Sequence, residues 1–556
     1  MEIFFSTLDA INAVMLSKPV LIALLGMAIL FTFWSGFSQY RSITHGVALI
    51  TGRGIDTRSG VGALTHFQAL SAAISGTVGL GNIAGVAIAV EFGGPGAVFW
   101  MWVVGFLGMA LKSAEVTLSM LYRDTSNPDD PHGGTMYVCR HGLARLGPGW
   151  ATIGKIAGGF FCLSVFTFAV TGGNMFQAWS VGHTTQAYFG VPSWVSGVIL
   201  AILVAVVLVG GVKRIGATAN KLVPLMCVIY VIAGLYVLAV NFDQIPGVFR
   251  MIFSSAFAPT EAVGAFTGAS LGMAFIFGMK RALFSSESGL GTAPIAHSAV
   301  KTNEPVTEGV VAGLEPLIDT LIVCTITALV ILSSGLWSRG PGHTWENTPA
   351  FSQTDGDTWQ LAETPIANTK AEGFSESDQV FTVVMAGEKR QRIYGTISKS
   401  ASGLVVNWDS VDSTGTPALL EDGLFADFGG STLTAKSFDQ ALPGLGKWMV
   451  TIAVWLFGFS TIITYGYYGE QGVRYFGGGD QTVRRYRVLW CLLIAVTCTG
   501  FIRTAREVDT LSTVALGFML AVNLPVMALL GSKAMQAWHD YFARLKRGEI
   551  ARTHSI

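Results

Sequence analysis

Ser75-Gly76-Thr77-Val78-Gly79-Leu80-Gly81-Asn82 packs three glycines into six positions of an otherwise apolar stretch, with Ser, Thr and Asn between them. Glycine weakens a helix by about 1 kcal/mol relative to alanine, so a helix over 67–90 is expected to unwind here. Inside a bilayer, unwound backbone survives only where it is buried in protein or lines a cavity. Amides freed in such a cavity bind a carboxylate, and freed carbonyls bind an ammonium group or a small cation. The same glycines also suit a face for close helix packing, and this run alone does not decide between the two.

A second interruption is expected at 264–272, Gly-Ala-Phe-Thr-Gly-Ala-Ser-Leu-Gly, which again places small and hydroxyl residues, Gly268 and Ser270 among them, at mid-membrane depth. Counted from 67–90, this is the sixth apolar segment. Two sets of five helices in opposite topology, each opened by a glycine-broken helix, are the signature of an inverted-repeat transporter. The repeat is inferred from segment order, because no internal sequence repeat is visible.

Composition agrees. The 556 residues carry 35 basic and 35 acidic side chains; 13% are charged, 51% are hydrophobic, and the mean hydropathy is +0.53. A soluble protein has about a quarter of its residues charged. A soluble enzyme, a disordered chain and a basic nucleic-acid binder are excluded, leaving a polytopic all-α membrane protein. With about 20 apolar residues per span, eleven segments emerge: 19–36, 67–90, 96–121, 156–181, 194–211, 222–241, 262–283, 310–334, 446–466, 487–502 and 509–531. The segment 19–36 is then an extra N-terminal helix ahead of the two sets of five. Residues 67–241 form the first set, and 242–335 with 445–531 form the second.

Basic residues orient the chain. With the amino terminus outside, the cytoplasmic connections hold 23 Lys and Arg, including Arg41, Arg53 and Arg58, against four on the short outer ones. The expected location is the cytoplasmic membrane, with a cytoplasmic tail from 532. Residues 1–19 lack a basic region before the first apolar run, so no cleaved signal peptide is expected. The outer loop 336–444 is a distinct insertion with 14 acidic and 7 basic residues. Its β-rich stretches 379–386, 391–398 and 403–408, punctuated by Gly387, Gly395, Ser402 and Gly403, suggest a small β meander. It is read either as a decoration or as a lid or partner-binding module.

Other motifs carry less. Gly268-Ala269-Ser270-Leu271-Gly272 fits GxSxG, but a hydrolase elbow needs a preceding strand and the flanks here are apolar helix. Gly79-Leu80-Gly81 with Gly85 misses the dinucleotide fingerprint by one residue and lacks its βαβ setting. The six cysteines show neither CxxC nor metal spacing, and the nine histidines show no ligand spacing. Among charges near membrane depth, Lys112 and Glu115 are three apart and suit mutual neutralisation; Glu91 and Glu287 flank the two expected breaks. Intramembrane charges are functional candidates by default, and Glu287, beside Lys280 and Arg281, suits a cytoplasmic gate. Phe459-Ser460-Thr461-Ile462-Ile463-Thr464-Tyr465 offers hydroxyls inside a span, either back-bonded to their own helix or forming an oxygen-only Na⁺ site. Asn174 and Gln177 are candidate pocket-lining amides.

The sequence resembles the alanine or glycine:cation symporters, also called sodium:alanine symporters, over all eleven spans but not the 336–444 loop. The resemblance rests on residues 76–86 (GTVGLGNIAGV), 93–102 (GGPGAVFWMW), 211–215 (GVKRI), 283–294 (LFSSESGLGTAP) and 467–470 (YYGE). Thr135 and Val138 stand where the family usually has Pro and Tyr, Ala282 replaces a usual Gly, and Ser286 a usual Asn. The resemblance implies a leucine-transporter-like fold within the amino acid–polyamine superfamily. It implies that Gly79, Gly81 and Asn82 surround a substrate carboxylate, with Thr77 and the broken sixth core helix (Gly268, Ser270) near its amino group. It also implies a sodium site shared by carbonyls of Ser75 and Val78 with Phe457, Ser460 and Thr461.

The expected function is import of a small neutral amino acid, alanine or glycine, with Na⁺ by alternating access. No organic cofactor, nucleic acid or obligate protein partner is implied, and the chain is not expected to be an enzyme. A proton-coupled carrier on the same fold and a ligand-gated channel or sensor using the outer loop are the alternatives.

Overall fold

A backbone amide or carbonyl left unpaired in hydrocarbon costs several kcal/mol, and the apolar stretches of this chain are accordingly helical. The structure, a computed structural model, describes every residue except 1, 54–59, 346–347, 367–373, 375, 377, 388, 401–402, 421–422, 445, 502–504 and 551–556. Arg58 and Ser402 lie outside the described residues. Seven described helices are long and apolar enough to cross a membrane: Ala10–Trp34, Gly96–Tyr122, Pro148–Phe189, Gly211–Val240, Pro305–Ser334, Gly446–Tyr475 and Thr510–Arg547. A bent pair, His66–Thr77 and Gly81–Gly93, makes an eighth, its halves meeting at 54°. Shorter helices, Ser193–Leu208, Leu271–Ser286 and Asp480–Val496, occupy three further apolar segments.

The bent pair is the broken helix read from 75–82. Thr65 and Gln68 start it with a reciprocal capping box: the Gln68 amide donates to the Thr65 hydroxyl (3.2 Å) and the Thr65 amide to the Gln68 side-chain oxygen (3.0 Å). It ends where Val78 turns extended (φ −77°, ψ 92°), and the chain recoils through a π-helical turn at Gly81–Gly85.

The second break lies elsewhere than expected. Residues 260–270 do not interrupt a helix; they precede one. Thr260 pairs with Ala269 and Val263 with Phe266, Gly264 and Gly268 take φ of +54° and +86°, and the Ser270 hydroxyl caps Leu271–Ser286 by accepting from the Met273 amide (3.2 Å). The small residues at 264–272 are therefore a helix-start signal. The chain unwinds about twenty residues later, at Glu287-Ser288-Gly289-Leu290-Gly291-Thr292, where Glu287, Gly289 and Gly291 all have positive φ, before Ala293–His297 resumes.

Between Pro305–Ser334 and Gly446–Tyr475 stands the β insertion. Gln379–Ala386, Lys389–Ser400 and Gly403–Trp408 pair antiparallel in succession. Gly423–Ala426 and then His343–Thr344 extend one edge of this sheet, and Thr364–Ile366 the other. Val380, Val384, Ile393, Ile397 and Val406 give the insertion a core of its own. It also grips the helices. The buried Arg392 guanidinium pairs with Glu91 at the end of the first broken helix and donates to the Ala265 carbonyl (2.6 Å). From the following helix, Ser431–Ala441, the Thr434 hydroxyl donates to the Ile83 carbonyl (3.0 Å). The loop is thus anchored on the unwound region itself.

Burial, with Glu91 nearby, pushes the Asp427 carboxyl up to about 6, against the pull of Arg392 and Arg339. Unfolding returns this group to about 4, so the folded insertion holds a proton that the unfolded chain has released in that window. Stability is therefore greatest below pH 4 on this account and falls as pH rises to 6. Hydrogen exchange in Gln379–Ala386 and Gly423–Ala426, corrected for intrinsic rates, should be faster at pH 7 than at pH 5, and Asp427→Asn should remove most of that difference. An unchanged difference in the variant would show that another group is responsible.

Candidate functional site

The two breaks meet at a cavity of about 100 Å³. Thr77, Gly79 and Gly81 line it from the first break, Arg281 and Phe284 from Leu271–Ser286, Glu287 from the start of the second break, Gln177 from Pro148–Phe189, and Thr461 and Tyr465 from Gly446–Tyr475. A larger groove of about 550 Å³ between Ser193–Leu208 and Asp480–Val496 lies on the outside of the bundle, among exposed Val198, Ile202, Val488 and Leu492. It contains no broken backbone, so the smaller cavity is the candidate site.

Opposite charges share this small space. The Arg281 guanidinium lies against Gly81 and Gly85, and a Cβ at Gly85 would sit 2.1 Å from its Nη1. Its Nε and Nη2 are buried and have no hydrogen-bond partner, a fork of donors suited to a carboxylate. Glu287 accepts from the Thr292 hydroxyl (2.5 Å) and from the Tyr465 hydroxyl, and has the charge to hold an ammonium group.

Asn82 stands behind the wall rather than in it. Fully buried, it accepts from the Gly79 amide (3.1 Å) and donates to Asp319 Oδ1 (2.5 Å). Asp319 in turn accepts from Ser285 and, at 3.0 Å, from Thr320. Asn82 therefore fixes the unwound backbone, and the Gly79 amide is already engaged. Gln177 reaches the break weakly, its side-chain oxygen 3.5 Å from the Leu80 amide, while its amide nitrogen donates to Gly172 (3.1 Å).

Beside the cavity the first break meets the hydroxyl-rich stretch of Gly446–Tyr475. Thr461 donates to the Ser75 carbonyl (3.0 Å), Ser75 to the Ser460 carbonyl (2.7 Å), Thr464 to Ser75 Oγ (3.0 Å), and Ser460 to the Phe457 carbonyl (2.9 Å). Val78 is fully buried nearby in sequence at the end of the same half-helix. The donors are neutral oxygens, the set a hard cation takes. No group of three or more His, Cys, Asp or Glu able to hold a metal occurs among the described residues.

Several of the expected residues lie away from the cavity. Gly268 and Ser270 are absent from the cavity wall because their segment is the lead-in to a helix. Asn174 turns away and donates to the Trp490 carbonyl (3.1 Å). Lys112 and Glu115 each have a contact on another helix: Lys112 Nζ lies 3.6 Å from Glu315, and Glu115 accepts from Asn523. The sequence suggested a gate role for Glu287 and left Arg281, Tyr465 and Asp319 out of the site. For Arg281, Glu287 and Asp319 the signal was charge within apolar segments.

The sequence model of the sodium:alanine symporter family matches residues 1–360 and 402–555. The unmatched stretch, 361–401, carries Arg392. The sodium/alanine symporter AgcS of Methanococcus maripaludis is 34% identical over 95% of both chains, and YrbD of Bacillus subtilis is 31% identical over 97% of this chain and 93% of its own. Among solved structures, MhsT in complex with L-phenylalanine shares the fold, with a TM-score of 0.52 at 13% identity, covering 86% of this chain and 93% of that one. The chain is thus a multi-pass membrane transporter and no enzyme, and it belongs to the sodium:alanine symporter family.

Proposed function

We propose that the protein imports a small neutral amino acid, alanine or glycine, together with Na⁺. The observation that carries this reading is a cavity of about 100 Å³ with Arg281 and Glu287 on one wall. A zwitterion presents a carboxylate to the first and an ammonium group to the second, and the volume leaves little room for a side chain. This deepens the sequence expectation: the carboxylate meets Arg281 beside Gly79 and Gly81, Asn82 holds those residues in place, and Thr77 borders the ammonium end. The Na⁺ site is Ser75, Val78, Phe457, Ser460 and Thr461, whose hydroxyls must turn from their present acceptors as the ion enters. In this reading the chain crosses the cytoplasmic membrane eleven times, as two inverted sets of five after one leading helix, with its amino terminus outside.

Alternating access needs no cofactor, since the ion gradient drives it: about 2.3 kcal/mol per charge per 100 mV, plus the concentration term. The proton-coupled alternative draws support from Glu287, a titratable group on the cavity wall, and from YrbD, whose name describes a sodium/proton-dependent alanine carrier.

Labelled alanine should accumulate in proteoliposomes under an inward Na⁺ gradient and not under an equal K⁺ gradient. Uptake that ignores Na⁺ and follows pH would hand the assignment to the proton-coupled reading. Gly85→Ala, which pushes only the flexible end of Arg281, should leave expression and melting near wild type while raising KM for alanine by about tenfold, or about 1.4 kcal/mol. An unchanged KM would remove Arg281 from the carboxylate site.

A further inference from the structure

Away from the cavity, four buried titratable side chains form a continuous chain of contacts. His66 Nδ1 meets one oxygen of Glu308, His297 Nδ1 meets the other, and His297 Nε2 lies 2.6 Å from Glu315. All four are at most 2% exposed. His66 opens the first broken helix, His297 closes the segment after the second break, and both glutamates belong to Pro305–Ser334. Every one of the three contacts therefore crosses from the two broken helices to Pro305–Ser334. The two histidine segments are tied to each other by backbone: the Lys301 amide donates to the Leu64 carbonyl (2.8 Å) and the Ala63 amide to the Ala299 carbonyl (2.8 Å).

The protons can be counted. Each nitrogen–oxygen contact needs one hydrogen between its atoms, so three contacts need three. Two neutral imidazoles supply one each, and two carboxylates supply none. One further proton is required, whether it rests on His297 or on a carboxyl group. The Lys112 ammonium lies beside this cluster, 3.6 Å from Glu315. Without the extra proton, a buried nitrogen lone pair would face a carboxylate oxygen, an expensive arrangement.

We infer that His66, Glu308, His297 and Glu315 are a proton-binding site, which holds one labile proton while the two broken helices are seated on Pro305–Ser334 and loses it when they part. The charged and titratable groups facing this site are Lys112 and, one turn on, Glu115; Arg123, whose guanidinium donates to the carbonyls of Val61, Ser298, Val300 and Thr302; Glu287; and Tyr468. Arg123 and Lys112 are fixed cations that permit the site to empty as the helices separate. The motion rests on the alternating-access reading, although its test needs no transport.

The experiment is hydrogen exchange of His66–Thr77 in the full chain, purified in detergent and held from pH 6 to pH 9, with rates corrected for intrinsic exchange. A one-proton linkage makes the parted state more populated with rising pH, approaching tenfold per unit where the parted site has lost its proton and the closed site still holds it. In Glu315→Gln the amide can donate to or accept from His297 Nε2 without a titrating proton, so the pH dependence should flatten; His66→Gln removes one contact and should raise exchange at every pH. Corrected exchange in the wild type that is independent of pH would overturn the proposal and leave the cluster as static polar packing. The wild-type slope surviving unchanged in Glu315→Gln would also overturn it, because the proton would then sit elsewhere. Neither result depends on whether alanine or Na⁺ is the cargo.

Discussion

Hydrocarbon offers a broken helix no hydrogen bonds, and this constraint explains most of the polar residues within the bundle. At the first break, Asn82 takes up the Gly79 amide and is itself held by Asp319. At the second, the Ser286 hydroxyl accepts from the Ser288 amide (3.3 Å), Asn523 donates to the Gly289 carbonyl (2.8 Å), and Thr135 donates to the Gly291 carbonyl (3.3 Å). Asp319, Asn523 and Thr135 each arrive from another part of the bundle, so the breaks and the bundle around them specify one another. A backbone opened in this way can expose charge and dipoles to a ligand without exposing them to lipid.

The same economy governs the charges. An ion taken out of water is expensive unless it is paired and hydrogen-bonded, and the buried ions here come in opposed sets: Lys112 with Glu315, Arg392 with Glu91, Arg487 with Glu470. Arg281 differs, because two of its buried nitrogens have no acceptor. With Glu287 on the wall of the same small cavity, it leaves an arrangement that a zwitterion completes. The insertion joins this system through Arg392, so a segment outside the family match bears on the outer half of the first broken helix.

How far the sequence disclosed this depends on range. The break at 75–82 was legible because its glycines and hydroxyls lie together in an apolar run. The meander 379–408 was legible because strand alternation is local, whereas the two-residue strands His343–Thr344 and Ala418–Leu419 offer no period to read. The second break was placed at 264–272 because composition does not separate a glycine-rich helix start, capped by Ser270, from a helix interruption. Partners far apart in the chain left no trace: Ser75 bonds Ser460 across 385 residues, and Ser285 bonds Asp319 across 34. Lys112 and Glu115 invited pairing by spacing, yet each faces another helix, a choice made by packing. The histidines were passed over since His66 and His297 are 231 positions apart and meet only through Glu308.

The central claim is that Arg281 and Glu287 together recognise the two charges of one small ligand. It is tested most directly by competition against labelled alanine uptake with glycine, propionate and ethylamine, which carry both charges, the carboxylate alone and the ammonium alone. Losing one buried charge pair is worth about 2–5 kcal/mol. Glycine should therefore compete near the alanine concentration, while neither single-charge analogue should compete at about a thirtyfold excess. Propionate or ethylamine competing as well as glycine would contradict the account, because one of the two side chains would then have no part in holding the substrate.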